Sequence, residues 1–292
     1  MSAMIARLAV IGVGLIGGSF ALDLKRRGLV GEVVGVGRSH ANLDLALQTG
    51  LIDRIAEDPA AAVAEADLVL LAIPVGAMPE VFRAIAPVLR PGCIVTDAGS
   101  TKQDVIAAAR AGLGEKVGQF VPGHPIAGAE TSGAAAARTG LYRDKPLILT
   151  PLPENRPRDV ERVEALWAAC GANVARMDPA EHDGVFAAVS HLPHLAAFAL
   201  MEELAGRPQA EVYFRYAGAG FRDFTRIAGS HPEMWRDITL ANSAALLAEL
   251  DAYVAKLREI RVLIERGDGP RLEELFARAR TARLNWNKAR NE

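Results

Sequence analysis

Three features of the chain predict an α/β protein with a doubly wound parallel sheet followed by an all-α domain. Short apolar runs alternate with helix-periodic ones through the first half, and a glycine cluster separates the first strand from the first helix. Strand-like runs then stop before Pro179. Alternating β and α elements pack as a parallel sheet covered by helices on both faces.

Taken in order, residues 8–11 are apolar at every position, as a strand buried on both faces must be. Residues 17–25 carry a helical period, 32–36 read as a strand and 41–49 as a helix. The pattern repeats with a strand at 67–73, a helix at 78–89, a strand at 93–96 and another at 119–121. Residues 147–150 and 173–176 are expected to extend the same sheet, with a helix at 159–170 between them. The change of character places a domain boundary near 178, giving domains 1–178 and 179–292.

In the second domain, residues 180–204 are helical in pattern but contain Pro193, which must bend or interrupt the helix. Ser230 and Glu233 have the spacing of a capping box. Leu246, Leu250, Tyr253, Leu257, Ile260 and Ile264 form a heptad-like seam, which predicts a homodimer through this domain. Gly267-Asp268-Gly269-Pro270 ends that helix, and residues 272–286 form another.

Half of the 292 residues are hydrophobic and the formal net charge is −2, the profile of a soluble globular protein. The absence of a basic excess excludes nucleic acid and an anionic membrane as expected partners. Cys93 and Cys170 lie far apart without metal or redox spacing, so two free thiols in a reducing cytoplasm are expected. The apolar start of the chain is too short for a membrane span and runs into the glycine cluster, so it reads as the first strand.

Gly12, Gly14 and Gly17 follow the first strand and open a helix, the context of a Rossmann-type dinucleotide fingerprint. Gly12 makes the turn, Gly14 admits a pyrophosphate, and Gly17 lets helix and strand pack closely. The amides of Leu15, Ile16 and Gly17 at the helix start complete the anion site. The second strand is followed by Arg38, Ser39, His40 and Asn42, with no carboxylate in the place where NAD sites usually hold a ribose. A guanidinium and hydrogen-bonding side chains suit a 2′-phosphate, so NADP is favoured over NAD. Alternatively, Arg38 stacks on the adenine of NAD.

Ligands of an open parallel sheet bind beyond the carboxyl ends of its strands. Pro74, Ser100 and His124 occupy such positions, with Pro74 on the cofactor side. His124, on a tight loop between glycines and prolines, is the candidate base, and Ser100 orients either its imidazole or a substrate hydroxyl. His191 and His194 are three apart on a helix, and with His182 they fall short of a metal site because no Cys or Asp cluster supports them. Arg222 and Arg226 share a helical face beside Asp223. The neighbouring Phe221, Phe224 and Ile227 predict burial, and hence an anionic partner for one arginine.

Four runs in this order carry a resemblance: DAGSTK from Asp97, GHPIAG from Gly123, SHLPH from Ser190 and GFRDFTRIA from Gly220. Together they resemble the prephenate/arogenate dehydrogenase family of tyrosine biosynthesis over nearly the whole chain. The resemblance implies oxidative decarboxylation of prephenate to 4-hydroxyphenylpyruvate, or of arogenate to tyrosine, with a nicotinamide cofactor. It assigns catalysis to His124 and Ser100, carboxylate binding to Arg226, and further pocket positions to His194, Glu130, Asp223 and Trp235. It also implies a helical domain that dimerises. The alternatives are a β-hydroxyacid dehydrogenase-like enzyme, whose lysine acid/base would fall to Lys256 or Lys288, and a non-catalytic nucleotide sensor.

Overall fold

The computed structural model describes residues 5–128 and 131–291. The chain opens with β1 (Ile5–Ile11), α1 (Leu15–Arg26), β2 (Val30–Val36) and α2 (His40–Gln48). It continues through β3 (Arg54–Ile55), α3 (Pro59–Val63), β4 (Leu68–Leu71) and α4 (Met78–Ile85). Next come β5 (Ile94–Asp97), α5 (Gln103–Leu113) and β6 (Phe120–Val121). Among the described residues these strands form a six-stranded parallel sheet in the order β3-β2-β1-β4-β5-β6. The order reverses between β1 and β4, so the crevice that takes a ligand opens beyond their carboxyl ends.

Strand burial follows from the two-residue period. Leu8, Val10, Leu68 and Leu70 enter one apolar cluster, whereas Ala9, Ile11, Val69 and Leu71 enter another. Successive side chains point to opposite faces, so the runs must be apolar throughout to fill both layers.

The strands expected to extend this sheet do something else. β7 (Gly123–Pro125), β8 (Pro146–Leu149) and β9 (Asn173–Arg176) make a separate three-stranded sheet. β7 and β8 are antiparallel, with His124 opposite Ile148, and β8 and β9 are parallel. His124 therefore sits on a short strand and not on a free loop, which fixes its backbone by pairing. α6 (Pro157–Ala169) joins β8 to β9, and its buried Trp167 packs on Phe20 of α1 and on Tyr142, with ring centroids 4.3 and 5.0 Å apart.

Helices α7 (Pro179–Phe186) and α8 (Leu192–Ala205) are joined by a π-helical turn at Ala187–His191. Pro193 thus falls just after the π turn, where the regular α ladder is already interrupted, as a residue without an N–H inside a helical run requires. By length and composition the run Pro179–Ala205 could cross a membrane. It is studded, however, with hydrogen-bonded histidines and an aspartate, described below. There follow α9 (Ala210–Arg215), α10 (Ala219–Thr225) and α11 (Pro232–Ala241). The capping box does not form: His231 is the N-cap, makes no side-chain cap bond, and Glu233 turns to another partner.

By compactness the chain divides into 5–243 and 244–291, well past the break in sequence character near 178. The second unit holds all but the first residue of α12 (Ser243–Glu265), and α13 (Gly269–Asn291). Just past the end of α12, Gly267 has a φ of +64° that admits the bonds from Gly267 N–H to Ile264 O and from Asp268 N–H to Leu263 O. On these helices Tyr253, Leu257, Ile264, Phe276 and Trp286 are exposed in the single chain.

Candidate active site

The fingerprint loop is shaped as the sequence predicts. Gly12 has a φ of +99°, and a Cβ there would collide with the backbone of Ala72 after β4. A Cβ on Gly17 would meet Val10 at 2.7 Å, so close helix–strand packing demands glycine. At Gly14, by contrast, the nearest atom is Gly133 N at 4.0 Å. That free approach, at the N-terminus of α1 beside the amides of Leu15, Ile16 and Gly17, fits a dinucleotide pyrophosphate. Pro74 is half-buried just beyond β4 on the same crevice edge.

The loop after β2 departs from expectation. Asn42 Nδ2 donates to Val13 O at 2.7 Å, and its Oδ1 accepts Ala134 N–H at 2.7 Å. Ser39 caps α2 by accepting Asn42 N–H at 3.3 Å. Both side chains predicted to serve a 2′-phosphate thus also hold the loop, Ser39 as an acceptor and Asn42 through its oxygen and one amide hydrogen. Arg38 is 80% exposed, and its fork engages Glu233 of α11 at 3.3 and 3.4 Å. A carboxylate that does not follow β2 in sequence reaches this loop from the helical region instead.

At the other end, two loops are clamped together. Asp97, at the end of β5, accepts Gly99 N–H at 2.8 Å and Gly123 N–H at 2.9 Å. Lys102 is fully buried and donates to Asp97 Oδ2 at 2.5 Å and to Gly123 O at 2.8 Å. This ion pair sets Ser100, half-buried between Gly99 and Lys102, on the same scaffold as the neighbouring His124. Removing either partner would strand a buried charge, a loss of about 3–5 kcal/mol.

His124 is buried and bonded in series. Its Nδ1 lies 2.9 Å from His182 Nε2, and His182 Nδ1 lies 2.8 Å from Asp183 Oδ1. Asp183 also accepts the N–H groups of Lys102 and Gln103 at 2.8 and 2.9 Å, which anchors it to the start of α5. Phe186 walls the pair, with its ring 4.8 Å from His124 and 4.5 Å from His182. Burial pushes the His124 imidazole well below its usual range, and the nearby His182, Lys102 and His191 push the same way. Burial lowers His182 as well, outweighing the bond to Asp183. For Asp183 burial acts upward, but the bonds from His182, Gln103 and Lys102 win and hold it below the ordinary carboxylate value. The result is an ionised aspartate beside two neutral imidazoles.

A second group lies along the π turn and α8. His194 stacks on Trp235 of α11, with centroids 3.6 Å apart, and donates from Nδ1 to Ser190 O at 2.9 Å. Burial lowers His194, and the positive charge of Arg226 adds to this, which places that guanidinium in the same neighbourhood. His191 points elsewhere: it is buried, its Nδ1 accepts from Asn242 at 3.1 Å, and burial brings it to about 4. The expected burial of the arginine segment fails. Arg222, Asp223, Phe224 and Arg226 are exposed, and only Thr225 of α10 is buried. The aromatic residues there do not shield the charges within one chain. Glu130 lies outside the described residues.

Comparison with known proteins supplies the assignment. Residues 20–176 match the nucleotide-binding domain of prephenate dehydrogenase, and 178–278 match its dimerization domain. The chain belongs to the prephenate dehydrogenase family. Cyclohexadienyl dehydrogenase of Zymomonas mobilis is 38% identical over 95% of this chain and 94% of its own length. Prephenate dehydrogenase of Bacillus subtilis is 36% identical over 97% of this chain and 76% of its own. A crystal structure of A. aeolicus prephenate dehydrogenase with hydroxyphenyl propionate and NAD+ superposes with a TM-score of 0.89, at 36% identity, covering 96% of this chain and 98% of that one.

As a member of the prephenate dehydrogenase family the chain is an oxidoreductase with a nicotinamide cofactor, and it carries that family's dimerization domain. Five residues of its site escaped the sequence reading: Asp97, Lys102, His182 in its present place, Asp183 and Glu233. One signal was available for two of them. Asp97 ends a fully buried strand and Lys102 lies five residues on, where an unpaired charge would be costly.

Proposed function

We propose that the chain carries out oxidative decarboxylation of prephenate, or of its amino counterpart arogenate. The loop of Gly12, Gly14 and Gly17 would hold the nicotinamide cofactor, which would supply the hydride acceptor for the ring carbon that bears the hydroxyl. His124 accepts the hydroxyl proton as that carbon becomes a carbonyl, and Ser100 orients the hydroxyl or the imidazole. The bond from the ring to its carboxylate then breaks, carbon dioxide leaves, and the electron pair aromatises the ring. The phenolate oxygen so formed recovers the proton, so none is consumed overall. Arg226 binds a substrate carboxylate, with His194 and Trp235 beside it and Asp223 and Glu130 as further lining. Much of the rate comes from alignment, because aromatisation drives the decarboxylation.

The observation that carries this reading is His124: a buried imidazole held neutral, on the scaffold of Ser100, in a chain of this family. The decisive experiment gives the purified chain prephenate and arogenate, each with NAD and NADP, and follows the reduced cofactor. Turnover with one of the two substrates supports the reading, and turnover with neither overturns it.

For the cofactor we favour NADP, because no carboxylate follows β2 and Arg38 offers a phosphate-matching fork. A 2′-phosphate would take that fork from Glu233. One observation favours NAD instead: Glu233 already neutralises Arg38 and stands where it would repel a phosphate. The functional division we adopt is 1–178 for the cofactor and 179–292 for substrate and dimerisation. The exposed Tyr253, Leu257 and Ile264 of the seam support a homodimer, since an apolar stripe of this length is normally covered. Sedimentation at micromolar concentration is expected to show a dimer, and a monomer there would remove it. The two cysteines are free and buried, which agrees with a cytoplasmic location.

A further inference from the structure

The hydrogen-bond chain Asp183–His182–His124 does more than hold three side chains in place. We propose that His182 and Asp183 are positioning residues that dictate the tautomer of His124 and so leave its Nε2 as the basic nitrogen. The proposal rests on His124 being the base.

The reasoning follows donors and acceptors. An ionised carboxylate can only accept, so His182 Nδ1, 2.8 Å from Asp183 Oδ1, must carry a hydrogen. A neutral His182 then has a bare lone pair at Nε2. His124 Nδ1, 2.9 Å away, must donate to it, which places the hydrogen of His124 on Nδ1. Nε2 of His124 is left unprotonated and able to take a hydroxyl proton. Reversing the order would need a protonated His182, and burial disfavours that charge. Once His124 takes up a proton, its Nδ1–H still points at His182, whose far side is tied to the Asp183 anion. The positive charge that forms during proton transfer is therefore met by an aligned pair of dipoles and a carboxylate two rings away.

Asp183 is held in turn by the amides of Lys102 and Gln103 at the start of α5, the helix that follows the Ser100 turn. Orientation of the base is thus referred to the same backbone that carries Ser100. His182 is fully buried, so its role is one of aiming and not of contact with substrate.

Two measurements test the inference. In full-length wild-type enzyme labelled with ¹⁵N at histidine, long-range proton–nitrogen correlation spectra report which ring nitrogen of His124 carries hydrogen. A His124→Asn variant assigns the peaks. The expected result is a protonated Nδ1 and a bare Nε2; hydrogen on Nε2 overturns the proposal without requiring any mutant to fold. In kinetics, His182→Ala is expected to lower kcat about 10²-fold, the low end of what a positioned base contributes. The KM for substrate and cofactor should stay within about threefold, since transition-state alignment and not ground-state binding is lost. His182→Gln keeps one donor and one acceptor and should recover a large part of the rate. A His182→Ala enzyme that keeps more than half of wild-type kcat overturns the proposal. If it does so while His124→Asn is inactive, only the positioning role fails. If His124→Asn is itself active, the base assignment fails instead.

Discussion

At His124, three side chains stand in line inside the protein, whereas at Arg38 a charge pair faces water. Both are polar contacts between residues distant in sequence, yet they behave differently. The buried chain has no solvent to substitute for a lost partner, so each bond dictates the next and the arrangement has one solution. The Arg38–Glu233 pair is screened and each member can return to water at small cost, so it can exchange partners. Fixed geometry belongs where a proton must move along one direction. An exchangeable pair belongs where a ligand carries its own charge and must compete for the site.

The largest effect should come from the buried end. His124→Asn is expected to lower turnover by about 10²–10⁴-fold while leaving fold and cofactor affinity intact, as read by steady-state rates and cofactor titration. A variant that keeps more than half of wild-type turnover would break the contrast, because the rigid site would then not house the base.

Acid should reveal the same end twice. His124 stays neutral well below 6.5, so the acid limb of the rate should lie below that pH and the rate should fall only as pH drops through the lowered value. Stability follows the same sign. Between pH 6.5 and about 4 the unfolded chain binds a proton at His191 that the folded one refuses, so stability must fall as pH is lowered. The loss is about 1.4 kcal/mol per pH unit for each such histidine, and His124 and His182 add to it. Denaturant titrations across this range check it; flat stability would mean that these imidazoles are not held neutral by burial.

Arg226 lies between the extremes, exposed in the single chain yet electrostatically linked to His194. Arg226→Gln should raise the substrate KM about 10–100-fold, from the loss of a charge-assisted carboxylate contact. If KM is unchanged and melting drops instead, the guanidinium is structural.

The smallest and most salt-sensitive effects should lie at the exposed end. Arg38→Ala is expected to cost NADP about tenfold in kcat/KM and NAD much less. Glu233→Gln should shift the ratio severalfold toward NADP by freeing the fork. Equal losses with both cofactors after Arg38→Ala would make the contact an adenine stack, and an NAD-preferring wild type would favour the Glu233 reading.

What the chain announces locally was legible. The parallel sheet could be read because buried strands are apolar at every position and the glycines at 12 and 17 sit where backbone crowding permits nothing else. His124 and Ser100 stood out because strand ends are where such a sheet binds ligands. What was misread depended on choices between distant segments. Residues 147–150 look like any buried strand, and no local feature says that they pair with Gly123–Pro125 in a second sheet. The aromatic residues around Arg226 suggested burial, but an apolar side chain is buried only if something covers it, and within one chain Phe224 is not covered.

The sequence by itself determined the fold class and the glycine fingerprint and singled out His124 as the candidate base, because each rests on residue type and short-range spacing. Only the tertiary structure decided which partners stand behind those residues. It brought His182, with Asp183 behind it, to His124 across 58 positions, and Glu233 to Arg38 across 195. Hydrogen-bond partnership over such separations is set by packing of whole elements, and the residues involved carry no mark of it in their own neighbourhoods.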